Sequence, residues 1–387
     1  MNANKPVIIY LIAGEPSGDL LGAHLMRSLK AQSQTKNIMF FGIGGPQMEQ
    51  EGLRSTFPYQ DLAIMGFSEL LPHAMKLLAR IAQTVDDIKA KSPHALITID
   101  SPGFCKRVVK KLRKEHFETR YIHYVAPSVW AWKPKRAEEF ARLFDHLLTL
   151  LPFEPPYFEK AGLASTFVGH PVVAETKTGN GEAFRTRHNI AANVPIFCVL
   201  PGSRAGEIKR HLPIFARAIT LLSEPYPNLA IVVPVPKHLL EVVKPYFVGC
   251  PFRAVVSANP EDKADGIAAA NVAIVKSGTV SLEVAKARIP MVVAYRVSAV
   301  SAFIFRRLRL IKLVTLVNIL LKREVIPELL QDDCTPILLA TAAANLLGSP
   351  AHAQAQRDAA EQAFAMLAPG QSTPSDLAAR TILEHLA

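Results

Sequence analysis

No uninterrupted apolar stretch reaches the roughly 18 residues that a helix needs to cross a bilayer, so nothing in this sequence is expected to span a membrane. Cysteine is scarce: Cys105, Cys198, Cys250 and Cys334 are the only four, and none forms a C-x-x-C pair. That pattern argues against a disulfide framework and structural zinc, and fits a reducing compartment. Walker A, H-E-x-x-H and G-x-S-x-G motifs are missing, and with them the signatures of P-loop NTPases, zinc proteases and serine hydrolases. No D-x-D pair is present to hold a metal on a sugar diphosphate, and the histidines show no ligand spacing. No metal and no cofactor is therefore assigned, and any bound phosphate must be neutralised by amides, Arg and Lys. The first apolar run, Val7–Ala13, is short and leads straight into a glycine turn, unlike a signal peptide.

Acidic residues are also in deficit. Asp and Glu number 33 against 44 Lys and Arg, a net charge of +11. Such an excess suits nucleic acid, an anionic membrane surface, or a solvated basic surface with no partner. The 387 residues, 49% hydrophobic and 20% charged, fit a globular chain of two domains.

Apolar strand patterns alternate with helical ones. Val7–Ala13, Ile38–Ile43, Ala95–Asp100, Tyr121–Val125, His146–Leu150 and Thr166–Val168 read as strands. The pattern breaks near His170-Pro171 in a polar, turn-rich stretch. A second series follows with Ile196–Leu200, Leu229–Val233, Phe252–Val256, Val272–Val275 and Pro290–Tyr295. The expected fold is α/β: two Rossmann-like lobes, 1–172 and 173–345, and a helical segment, 346–387, whose last part packs back on the first lobe. Ligands of such sheets bind beyond the carboxyl ends of the strands.

Several motifs fall at those ends. Gly14-Glu15-Pro16-Ser17-Gly18-Asp19 opens the first helix. It reads as an anion-facing turn or as a plain strand-to-helix turn capped by Ser17 or Asp19. Asp100, just past an apolar strand, is placed to act as a general base, although capping the next helix would also explain it. Ala126–Lys133 holds both tryptophans, Trp130 and Trp132, as a ligand wall, a membrane contact or packing between lobes. In the second half, Leu200-Pro201-Gly202-Ser203-Arg204 sets a guanidinium beside free amides, which suits a diphosphate. Lys276-Ser277-Gly278-Thr279 opens a helix carrying Glu283, one turn on, where it could accept from ribose hydroxyls. Arg296–Arg323 carries seven basic residues, no acidic one and many apolar ones. It reads as an interfacial anchor facing anionic lipid through Phe303, Phe305, Arg306, Arg307 and Arg309, or as ordinary core. The segment Gly66–Leu78 has a similar apolar character.

In this order, Gly14–Asp19, Asp100–Gly103, Ala126–Lys133, Pro201–Arg204, Ser277–Glu283, and Asn318 with Glu328 and Gln331 resemble the lipid-A-disaccharide synthases. These are inverting glycosyltransferases of the GT-B fold in the lipid A and lipopolysaccharide pathway of Gram-negative bacteria. The resemblance implies transfer of 2,3-diacylglucosamine from UDP to the 6-hydroxyl of 2,3-diacylglucosamine 1-phosphate, with inversion. It implies that Asp100 is the base or orients it. Ser203, Arg204, Ser277, Gly278, Thr279, Glu283, Asn318 and Gln331 would meet the UDP donor. Glu15, Ser17, Gly18, Asp19 and Trp130 would lie on the acceptor side. Two departures from the family stand out: Pro16 in place of Ala and Lys322 in place of Gly. The implied partners are the two acylated sugars and the anionic inner-membrane surface, with a cytoplasmic, peripheral location. Nucleic acid is not expected, since carboxylates near the ligand would repel it. An oligomer is compatible with the sequence but not specified by it. Two alternatives remain at this point: another GT-B transferase, such as a peptidoglycan-precursor enzyme, and a non-catalytic basic membrane-docking module.

Overall fold

The computed structural model describes residues 6–33, 37–63, 70–174, 178–297 and 312–386, with side chains for all but 63 and 70–74. Phe303, Phe305, Arg306, Arg307 and Arg309 lie outside the described residues, as does the start of the Gly66–Leu78 segment. The chain forms two compact units, Met1–Ala174 with Leu367–Ala387, and Glu175–Met366.

The first unit holds a seven-stranded parallel sheet. Its strands are β1 (Val7–Ala13), β2 (Ile38–Ile43), β3 (Arg54–Ser55), β4 (Ala95–Ile99), β5 (Arg120–Tyr124), β6 (His146–Thr149) and β7 (Ser165–Phe167). Their order is β3-β2-β1-β4-β5-β6-β7. All five residues of β4 are buried, as the continuous apolar run Ala-Leu-Ile-Thr-Ile requires of a central strand covered on both faces. Separate apolar layers fill the two sides. Ile9, Leu11, Ile97 and Leu25 belong to one; Tyr10, Ile12, Leu96 and Phe104 belong to the other.

The second unit repeats the plan with β8 (Ile196–Leu200), β9 (Ala230–Pro234), β10 (Arg253–Ser257), β11 (Val272–Lys276), β12 (Met291–Tyr295) and β13 (Glu328–Leu330). The order is β10-β9-β8-β11-β12-β13, again parallel. In both sheets the chain starts at a central strand, works outward on one side, then crosses to the other. The crossover creates a switch point, between β1 and β4 in the first unit and between β8 and β11 in the second. Loops diverge there and leave room for a ligand.

The carboxy-terminal helix Pro374–Glu384 packs on the helix Pro16–Gln32, where Asp376 accepts from Ser28 Oγ at 2.8 Å. The chain rejoins the first unit at Leu367, within the helical segment 346–387. The preceding helix, Pro350–Leu367, is tied to the second unit: Gln356 accepts from the Met291 amide (2.8 Å) and donates to its carbonyl (3.1 Å). Among the described residues no helix is long and apolar enough to cross a membrane.

Candidate active site

At the first switch point β1 leads into Gly14 and β4 into Asp100. Asp100 and Ser101 both take left-handed backbone conformations, with φ of 51° and 45°. Non-glycine residues seldom do so, and such strain collects at functional sites. The twist ends the strand abruptly; the Asp100 amide still donates to the Tyr124 carbonyl at 2.9 Å. Ser101, not Asp100, stands at the cap position of the helix Pro102–Lys114, with no side-chain cap bond. Capping therefore does not explain the aspartate. Burial raises the Asp100 pKa above the usual carboxylate range, and the charge of Glu15 raises it further against a small opposing pull from the Ser101 amide. A carboxyl group with raised proton affinity at a strand end suits a general base. The turns also touch closely: a Cβ on Gly14 would lie 2.7 Å from Ser101 Oγ.

A base works only when deprotonated, so its activity is lost as pH falls through its pKa. Removing the Glu15 charge lowers that pKa. Glu15→Gln is therefore expected to shift the acid limb of the kcat/KM profile to lower pH, as initial rates across a pH series would show. An unshifted limb would mean that the two carboxylates do not interact.

Asp19, expected on the acceptor side, is only 3% exposed. Its carboxylate accepts from the amides of Gly45 (2.8 Å), Gln47 (3.0 Å) and Met48 (3.0 Å), capping the short helix Pro46–Gln50 from a distance. Gly45 must be glycine for this, since a Cβ would lie 2.6 Å from Asp19 Oδ2. Gly18 is buried against Ala13 and Ile99, Ser17 is exposed, and Glu15 is half-buried. Pro16 fits at the start of its helix, where a proline costs no hydrogen bond.

Trp130 is half-buried, edge-on to Phe153, and donates from Nε1 to Glu154 Oε1 at 3.1 Å. Glu154 also accepts from the Leu150 and Leu151 amides. Burial pushes its pKa up to about 7, against the pull of these three donors. The sequence reading missed Glu154, which anchors the tryptophan loop to the end of β6. Val125, at the start of that loop, has φ of 82°, a strained conformation for a β-branched residue. Trp132 lies beneath Lys133 and Arg136, with each cation within 4.6 Å of the ring centroid.

At the second switch point lies a pocket of about 730 Å³, formed wholly by the second unit. Its walls include the turn after β8 (Gly202, Ser203, Arg204), the turn after β11 (Lys276, Gly278, Thr279) and Glu283. Four cations, Arg204, Lys237, Lys263 and Lys276, face two carboxylates, Glu207 and Glu283. The pocket thus favours an anion. Lys263 Nζ is 2.6 Å from Glu283 Oε2, and Lys276 Nζ is 2.9 Å from Glu207 Oε1. Glu207 Oε2 accepts from the Ser203 amide at 3.0 Å. Burial raises the Glu207 pKa, but the Lys276 bond and charge outweigh it and hold the carboxyl below its usual range.

Ser203, Arg204, Gly278, Thr279 and Glu283 are thus brought together, while Ser277 stands just outside the lining. Asn318 and Gln331, expected at the donor, are not among the residues that line this pocket. Asn318 is fully buried; its amide donates to Ile326 O and Glu328 Oε1 and accepts from the Val325 and Ile326 amides. With all its hydrogen-bonding capacity used inside the loop, it shapes the backbone between 314 and 328. Gln331 accepts from the Val297 amide at 3.3 Å, at the start of the basic segment. Lys322 has φ of 55° at the end of the helix Leu316–Leu321, a position that favours glycine. Glu207 and Lys263 escaped the sequence reading, and Lys276 entered it only as part of its turn. Glu207 had a visible signal, a carboxylate three residues after the Arg204 cap position, as in a capping box.

A model of the lipid-A-disaccharide synthetase family matches residues 9–382. The chain is 46% identical to the lipid-A-disaccharide synthase of Rhodospirillum centenum over 98% of its length and 94% of that protein. It is 46% identical to that of Paramagnetospirillum magneticum over 98% of each. A UDP-GlcNAc 2-epimerase from Neisseria meningitidis, bound to UDP-GlcNAc, has a similar fold: TM-score 0.62, 10% identity, 99% of both chains. So does the kitacinnamycin glycotransferase: TM-score 0.61, 15% identity, covering 99% of this chain and 100% of that one. The two sheets together with this likeness make the fold that of the GT-B glycosyltransferases.

Proposed function

The chain belongs to the lipid-A-disaccharide synthetase family, and from that membership we propose how its residues divide the work of transfer. The protein is a glycosyltransferase. It moves 2,3-diacylglucosamine from UDP to the 6-hydroxyl of 2,3-diacylglucosamine 1-phosphate, giving a β-1,6-linked disaccharide 1-phosphate and UDP.

The pocket at the second switch point takes the UDP moiety. The observation that carries this reading is the convergence of two glycine-containing turns, at the ends of β8 and β11, with four cations in one pocket. Arg204 and the turn amides bind the diphosphate, and Glu283 accepts from the ribose hydroxyls. The Asp100 carboxylate takes the proton of the acceptor 6-hydroxyl as its oxygen attacks the anomeric carbon. The bond from that carbon to the diphosphate breaks, and its electron pair leaves with UDP. Inversion in one displacement requires attack and departure on opposite faces of the sugar. Charge grows on the departing diphosphate, so the cations act most strongly in the transition state.

The protein works at an anionic membrane surface, where both acylated sugars reside. The net charge of +11 supports this. So do Met75 and Leu78, 74% and 61% exposed on the helix Leu70–Lys91, a degree of apolar exposure that a lipid contact would relieve. In a thin-layer assay the diacylated donor and acceptor are expected to yield disaccharide and UDP, and a donor without acyl chains far less. Equal turnover of the non-acylated UDP-sugar would count against the acyl-lipid reading.

A further inference from the structure

Lys276 ends β11, and Glu207 lies in the first turn of the helix Ala205–Leu221. Their side chains are only 16% and 19% exposed, and they meet at 2.9 Å in the pocket wall. The turn after β8 is shaped around this carboxylate. Gly202 has φ of 119°, and a Cβ there would lie 2.5 Å from Glu207 Oε2. The same oxygen receives the Ser203 amide. Behind the pair, His211 accepts on Nε2 from the Arg296 amide (2.9 Å), so its proton sits on Nδ1, 2.9 Å from the Glu207 carbonyl. His211 also stacks on Tyr295, whose ring lies 5.2 Å from Lys276 Nζ. The Glu207 carboxylate is therefore held by the Ser203 amide, its backbone carbonyl by His211, and Lys276 is held by Glu207.

Cross-linking two turns does not call for a lysine. Desolvating an ion pair is costly, and apolar side chains of similar volume commonly stabilise as well. What lysine adds is a compact charge with three donors. One donor is spent on Glu207, and the others remain for the pocket. We propose that Lys276 is a catalytic residue that takes up the charge of the departing diphosphate, with Glu207 as the positioning residue that aims it. This deepens, and rests on, the reading of the pocket as the nucleotide diphosphate site. When the anomeric carbon–oxygen bond breaks, its electron pair goes to the diphosphate oxygen and the acceptor proton goes to Asp100. Lys276 keeps its proton and stabilises the new oxyanion by charge and hydrogen bond. Because that charge is greater in the transition state than in bound donor, the lysine acts on kcat more than on affinity.

The test is steady-state kinetics on full-length Lys276→Met, Lys276→Arg and Glu207→Gln enzymes, with UDP titration of each. Lys276→Met is expected to lower kcat about 100-fold, the usual effect of losing one oxyanion-stabilising group. The KM for the donor should change by less than about tenfold, and measurable UDP binding shows that the variant is folded. Lys276→Arg should recover most of kcat. Glu207→Gln keeps an oxygen for the Ser203 amide and leaves the ammonium in place, so it should lose no more than about tenfold. Equal losses in Glu207→Gln and Lys276→Met would reduce the lysine to a cross-link, and so would near-normal kcat in Lys276→Met. Arg204→Ala separates this from the underlying reading. If it binds UDP as the wild type does, the pocket reading fails. If it loses UDP while Lys276→Met keeps full turnover, only the lysine assignment fails.

Discussion

Replacing Asp100 by alanine is expected to lower kcat by about a thousandfold, within the range for loss of a positioned general base, while leaving the dissociation constant of UDP within about threefold of wild type. The two readouts separate because of where Asp100 stands. It follows β4 in the first unit, and every residue lining the cationic pocket belongs to the second. The side chain caps no helix, so its removal should cost little stability; the strained backbone at 100 and 101 belongs to the turn. Burial and the Glu15 charge give the carboxyl its raised proton affinity. Asp100→Asn should be as inactive as alanine, since the amide keeps the shape but cannot accept the proton. Single-turnover rates on the diacylated substrates and UDP calorimetry would check both halves.

Arg204→Ala and Glu283→Ala are expected to act on the other side of the reaction. A hydrogen bond to a charged group contributes about 1.5–3 kcal/mol, so losing the Arg204 fork should weaken UDP binding by roughly 10- to 100-fold. Glu283→Ala should cost less, about tenfold at most. It removes the ribose acceptor, but it also frees Lys263, now held at 2.6 Å, to add positive charge beside the diphosphate. The two losses are therefore unequal by design of the pocket. The comparison is a direct UDP titration at one ionic strength, because a four-cation pocket is sensitive to salt. Equal affinity in Arg204→Ala and wild type would remove the guanidinium from the donor site.

The positions of the central strands were open to sequence reasoning because these strands are buried on both faces and so read as short apolar runs between glycine turns. Val7–Ala13, Ala95–Ile99 and Ile196–Leu200 are of this kind. The turns that end β8 and β11 were equally plain, since Arg204 and Glu283 sit within a few residues of the glycines that bring them to the pocket. What stayed hidden depends on partners distant in sequence. Asp19 is consumed by amides near residue 46, and no local pattern distinguishes that role from an acceptor contact. Asn318 is spent on the 325–328 backbone, a loop whose path the sequence does not reveal. Glu154 and the Lys276–Glu207 pair each join residues from neighbouring strand ends, so only the assembled sheet brings them into view. Pro16 and Lys322, departures from the family pattern, are local matters: one begins a helix, the other ends one.

The central claim is a division of labour, with proton abstraction by Asp100 in the first unit and nucleotide binding by the cationic pocket of the second. Measuring UDP affinity and turnover side by side in Asp100→Ala and Arg204→Ala tests it most directly. The account predicts an Asp100→Ala protein that binds UDP almost normally and scarcely turns over, beside an Arg204→Ala protein whose UDP affinity has fallen. An Asp100→Ala enzyme with near wild-type turnover, or two variants that lose UDP affinity alike, would contradict it.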